Sequence, residues 1–87
     1  APWPNPARAG TVVGFALERG GQVEVAVYGV DGRLVKMLAQ GEREPGEYRL
    51  PWDGTDERGN PSAPGVYYVR LKAGGREFTR KLVRLER

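Results

Sequence analysis

The feature that most constrains this chain is its series of short apolar alternations of period two, each cut off by glycine or proline. Between Thr11 and Leu17, the residues Val13, Phe15 and Leu17 share one face. Between Gln22 and Tyr28, Val23, Val25 and Val27 share a face while Gln22 and Glu24 take the other. Tyr48, Leu50 and Trp52 alternate in the same way, as do Tyr67, Val69 and Leu71 against Tyr68, Arg70 and Lys72. A period of two belongs to strands, because successive side chains leave opposite faces of an extended backbone. Glycine and proline together make 20 of 87 residues (13 + 7) and fall between these runs, as turns between short strands require. Leu34–Gln40 alone has helix-compatible composition, but one or two isolated helical turns are marginal in water, so a strand is expected there as well.

The punctuation suggests pairings. Asp31-Gly32 reads as a two-residue hairpin loop that returns Arg33–Leu38 against the preceding strand. Gly20-Gly21 separates two β-branched runs that read as a hairpin or near neighbours. Gly41–Gly46 reads as a charged turn, and Asp53–Pro64 as a long polar loop. A two-residue turn at Gly74-Gly75 would set Lys72 opposite Glu77 and Leu71 opposite Phe78. The same register sends Arg80 to the core side beside Val69, and a bulge near Thr79–Lys81 is the expected remedy. Residues 1–10, with Pro2, Pro4 and Pro6, form an extended arm, a linker or a first edge strand. Residues 11–87 then make a single domain. The expected fold is all-β, an immunoglobulin-like β-sandwich of about seven antiparallel strands without a disulfide.

Composition narrows function. The chain has no Cys and no His, which removes imidazole bases, His-dependent nucleophile systems and the usual ligands of zinc, iron–sulfur and haem. Ser62 is the only serine. No stretch approaches the ~18 apolar residues of a membrane helix, and no signal peptide is recognisable. The first residue is Ala1, which fits a processed product or a piece of something longer. No catalytic activity is expected of the segment. Charge is uneven: residues 1–75 carry nine basic and nine acidic side chains, so the net +3 lies in residues 76–87. Two readings are open for that strand. One is contact with an anionic surface such as lipopolysaccharide or polysaccharide; the other is an edge strand whose charges oppose aggregation. No nucleic acid is expected as a partner.

The stretch Trp52-Asp53-Gly54-Thr55-Asp56-Glu57-Arg58-Gly59-Asn60, followed by Pro64-Gly65-Val66-Tyr67-Tyr68, resembles the Ig-like domain of flagellar hook-capping proteins. Asp31, Gly32, Trp52, Asp53, Gly54, Asp56, Gly59, Gly65 and Tyr67 carry the motif, together with the hairpin Val25–Val35. That hairpin has Gly29 where the family usually has Asp. Trp3-Pro4-Asn5-Pro6-Ala7 is similar to the opening of type IX (Por) secretion C-terminal sorting domains, through Pro4, Asn5 and Pro6. Gly75–Val83 is similar to their closing strand, so Arg80, Lys81, Leu82, Val83 and Leu85 would be the sorting residues. The resemblance implies a non-catalytic C-terminal module of a secreted protein, joined to upstream domains. Its partners would be the export or surface-anchoring machinery, and its location the outside of a Gram-negative cell.

Three constellations compete with plainer explanations. Asp53, Asp56, Glu57 and Asn60 supply hard oxygens that would suit Ca²⁺. Their spacing is not that of an EF-hand, and turn chemistry is the plainer account. Among the aromatics, Trp3, Tyr28 and Tyr68 are the expected exposed rings of a sugar-stacking platform, whereas Tyr48, Trp52 and Tyr67 fall on core faces. Asp53 and Asp56 as an acid–base pair lack walls to hold a sugar. The function alternative to sorting is therefore a carbohydrate-binding or structural Ig-like module on an extracellular hydrolase.

Overall fold

The computed structural model describes residues 11–84. Six strands follow the alternations: β1 (Thr11–Leu17), β2 (Gly21–Gly29), β3 (Leu34–Arg43), β4 (Gly46–Trp52), β5 (Gly65–Ala73) and β6 (Arg76–Arg84). They form two antiparallel sheets, β1-β4 and β3-β2-β5-β6. The expected face of each strand is the one that turns inward. Val23, Val25 and Val27 are buried on β2, Trp52 on β4, and Tyr67 and Val69 on β5. One cluster of Val25, Val27, Ala39, Trp52, Tyr67 and Val69 spans both sheets, with Val13, Phe15 and Leu50 packed against it from the smaller one. No polar residue among those described is buried, so the interface between the layers is apolar.

Leu34–Gln40 is strand, as expected, and the segment read as a charged turn is shortened to Glu44-Pro45, ahead of β4 at Gly46, because β3 runs on to Arg43. Its partner β2 still offers pairing positions there, Gly41 to Val23 and Arg43 to Gly21. Two register shifts interrupt the β2–β3 ladder, between Val25/Ala26 and Val27/Tyr28. They leave Leu38 and Val35 as the unpaired residues, and both pack against the core cluster.

Three pairing expectations need correction. β1 and β2 are not hairpin neighbours: β1 pairs with β4, so Gly20-Gly21 carries the chain from one sheet to the other. Gly20 allows that crossing, because a Cβ there would lie 3.1 Å from the Arg43 carbonyl oxygen and 3.4 Å from Pro45 Cδ. The β2–β3 loop has three residues, not two. Gly29 N–H donates to the Arg33 carbonyl at 2.9 Å and Gly32 N–H to the Gly29 carbonyl at 3.0 Å. Only Gly32 has positive φ (86°), and Asp31 does not. This is a turn closed by a left-handed glycine, the usual geometry of a three-residue loop. Finally, β5–β6 keeps an unbroken register from Ala73–Arg76 to Gly65–Arg84. Lys72 faces Glu77 and Leu71 faces Phe78 as expected, but no bulge turns Arg80 away from Val69. Arg80 is exposed nonetheless, although its register places it on the inner face of β6.

Candidate functional site

The Trp-Asp-Gly segment sits where β4 leaves the sandwich, and each of its residues has separate work. Trp52 is 1% exposed and meets Tyr67 edge to face, with ring centroids 5.3 Å apart. Its indole N–H donates to the Thr55 carbonyl at 2.9 Å, so the buried ring carries no unmet donor. Asp53 accepts from the Thr55 backbone N–H at 3.0 Å and from its hydroxyl at 2.6 Å. Those two donors hold the Asp53 carboxyl below its ordinary 3.8, the hydroxyl contributing most. Gly54 turns the chain at φ 84°, and the Arg84 guanidinium of β6 lies against it. A Cβ at position 54 would come within 2.5 Å of Arg84 Nε, so the positive φ favours glycine and any larger residue would have to displace the Arg84 guanidinium.

The rest of the loop is a small closed hairpin. Thr55 and Pro61 form an isolated bridge, and the Asp56 backbone N–H donates to the Asn60 carbonyl at 2.8 Å. Asp56 Oδ1 accepts the N–H groups of Arg58 at 2.9 Å and Asn60 at 3.0 Å. Ser62 donates both its N–H (2.8 Å) and its hydroxyl (2.7 Å) to the Gly54 carbonyl. Two contacts tie the loop to β3: Glu57 accepts the Met37 N–H, and Lys36 Nζ donates to the Asp56 carbonyl at 3.3 Å. The Asp53, Asp56 and Glu57 carboxylates are thus engaged in turn and docking bonds. Among the described residues no three acidic groups gather around a common point as metal ligands.

Below the loop, the Tyr67 hydroxyl donates to the Ala63 carbonyl four residues upstream. This is the tyrosine corner that pins the entry to a late strand in Ig-like sandwiches. Gly65 begins β5 and Asp31 caps the β2–β3 loop by accepting the Arg33 N–H at 3.1 Å. The site residues of the closing strand do not converge on one place. Arg80 and Leu82 take the inner face of β6, opposite Val69 and Tyr67. Lys81 and Val83 take the outer face, opposite Tyr68 and Val66, and both are exposed. Pro4, Asn5, Pro6, Leu85 and Trp3 lie outside the described residues. Of the two other rings suggested for sugar stacking, Tyr68 is 36% exposed, while Tyr28 has the Arg70 guanidinium 4.3 Å above its ring.

The contacts of Arg84 with Gly54, Glu57 with Met37, and Ser62 with Gly54 were not foreseen. Each joins residues far apart in sequence or uses a side chain with no periodicity to mark it.

Two packed antiparallel sheets, Greek-key crossings between them, a tyrosine corner and a buried Trp without any disulfide define an Ig-like β-sandwich domain. A model of the FlgD Ig-like domain matches residues 7–77. The chain belongs to that family, whose Ig-like domain is non-catalytic and structural. No curated protein matches the chain, and no solved structure does.

Proposed function

We propose that this domain is a non-catalytic C-terminal module of a secreted protein, directing type IX secretion across the outer membrane, attachment to the cell surface, or both. One observation carries the reading. The family match covers residues 7–77, and the two segments that resemble sorting domains, Trp3–Ala7 and Gly75–Val83, bracket it at either end. The placement of β6 supports the same reading: among the described residues it is an edge strand, and it presents Lys81 and Val83 outward, open to recognition by a protein surface. Upstream domains of a larger chain would be the cargo. Arg80 and Lys81 would suit anionic lipopolysaccharide or polysaccharide at the destination. The reading calls on no cofactor.

The test is a fusion of residues 1–87 behind a periplasmic reporter in a Gram-negative host with type IX machinery. The expected result is reporter at the cell surface or in the medium. Retention in the periplasm overturns the proposal. In the same fusion, Lys81→Ser with Val83→Ser is expected to impair export while circular dichroism shows an unchanged fold, since neither side chain is in the core.

The sugar-binding alternative has one observation in its favour, the cross-strand pair Tyr28 and Tyr68 on the outer face. Arg70 already occupies the Tyr28 ring, which leaves a single open aromatic face there. Titration with soluble oligosaccharides while following the Tyr68 resonances separates the readings. No shift at millimolar ligand means binding weaker than about −4 kcal/mol and sets the alternative aside.

A further inference from the structure

Among the described residues β3 forms one margin of the four-stranded sheet, so one row of its backbone groups faces away from β2. A row of that kind accepts a strand from another molecule unless something interrupts it. On β3 the interruption is present and sits at one place. The two register shifts leave Leu38 and Val35 unpaired, so only Lys36 and Met37 lie in register between them, opposite Val27 and Ala26. These are the two residues that the loop 53–64 engages: Glu57 accepts the Met37 N–H, and Lys36 Nζ donates to the Asp56 carbonyl. The loop presents Glu57 from a locked turn. Gly59 N–H donates to the Asp56 carbonyl at 2.9 Å, and Asp56 Oδ1 holds the N–H groups of Arg58 and Asn60. Glu57 is thus the first central residue of a closed β-turn, already ordered where it meets β3.

We propose that Glu57 is an edge guard, which takes the β3 backbone donor that β3 of a second copy of this chain would otherwise use. Two identical edges can meet antiparallel about a two-fold axis, so a second copy is the partner the contact excludes. Two features favour a guard over a stabilising contact. Glu57 is exposed, where a hydrogen bond adds little to stability because water competes for both partners. An ionised carboxylate also accepts without donating, so it ends the ladder and offers nothing for another strand to continue. Past the guard, the regular part of β3 is only Ala39–Arg43, paired with Gly21–Val25, and it ends in the charged residues Glu42 and Arg43. An edge cut by bulges, closed by a side chain and charged at its end is one that does not pair with its own copies. None of this rests on the export reading.

The experiment follows the full chain by sedimentation velocity over a concentration series and by amide exchange at Met37. In Glu57→Ala, Met37 protection in dilute solution is expected to fall by about tenfold or more. It should return with concentration as the chain self-associates, while Tm in dilute solution stays within about 5 °C of the parent. Glu57→Asp, which keeps the charge but shortens the reach by one methylene, is expected to behave in the same way. Glu57→Gln, which loses the charge but keeps an acceptor of the same reach, is expected to match the parent in both readouts. Monomeric behaviour of both Glu57→Ala and Glu57→Asp throughout the series overturns the proposal. Association of Glu57→Gln to the same extent as Glu57→Ala also overturns it, since charge repulsion and not capping would then be the cause. Association that leaves the Met37 amide exchanging freely overturns it as well, because another surface would be responsible. The export test reads delivery of a reporter, so its failure and the failure of this proposal are separate results.

Discussion

Trp52 links the core to the loop, and both links are lost together when its ring is removed. It is among the largest fully buried side chains, it contacts Tyr67, and its N–H closes the turn to Thr55. Trp52→Ala is expected to cost about 3–5 kcal/mol, the range for a buried large aromatic. Tyr68→Ala, on the outer face, is expected to cost far less; denaturant melts of the two variants make the comparison. Gly54 and Gly59 offer a cleaner pair. Both have similar positive φ, 84° and 86°, but a Cβ at Gly59 meets nothing within 4 Å whereas one at Gly54 meets Arg84. Gly59→Ala should therefore show backbone strain alone, about 1–2 kcal/mol. Gly54→Ala should lose more, and the excess should shrink in an Arg84→Ala background. Asp53 gives a pH dependence whose sign is determined by its lowered pKa. Its stabilising contribution is present above the ordinary carboxylate value and is lost as pH falls through the lower folded value. The difference in Tm between the parent and Asp53→Asn should thus shrink as the pH is lowered past the ordinary carboxylate value of 3.8 and through the lower folded value. A difference that grows on acidification would contradict the Thr55 contacts.

At the scale of elements, the two hairpins show how glycine number selects the turn. Gly74 and Gly75 both have positive φ, 59° and 77°, and join Ala73 to Arg76 directly. That is the two-residue primed turn whose twist suits antiparallel strands, and Asn is favoured at its first position. Gly74→Asn is expected to raise stability by about 0.4–1 kcal/mol by restricting the unfolded chain, read as a higher denaturation midpoint. Gly74→Val, β-branched where φ is positive, should lower it. Asp31-Gly32 has a glycine at only one of the two positions, and the chain there takes the longer loop, with Gly32 left-handed and Asp31 capping Arg33. The Gly29 position fits this arrangement: a Cβ there would lie 3.1 Å from Asp31 Oδ1, the atom that makes the cap.

For the whole molecule, one cluster spanning both sheets predicts one cooperative transition. Thermal melts followed by tryptophan fluorescence and by far-ultraviolet circular dichroism should coincide. Separate midpoints would mean that the two-stranded sheet detaches before the four-stranded one. The period-two pattern determined by itself that the chain is all-β, which face of each strand is apolar, and where most turns lie. Alternation is a local property, and burial of the apolar face rewards it in almost any sandwich. The motif residues Trp52, Asp53, Gly54 and Tyr67 were legible because each meets a local demand of turn or core. Partner choice was legible only across the tight turns, for β2 with β3 and β5 with β6, and not for strands joined by crossings. That β1 pairs with the distant β4, from Thr11 with Trp52 to Leu17 with Gly46, that Arg84 closes over Gly54, and that Arg80 stays inward beside a groove depend on how the sheets stack. A strand edge offers the same N–H and C=O groups to any neighbour, so only the packing of the two layers decides which neighbour it meets.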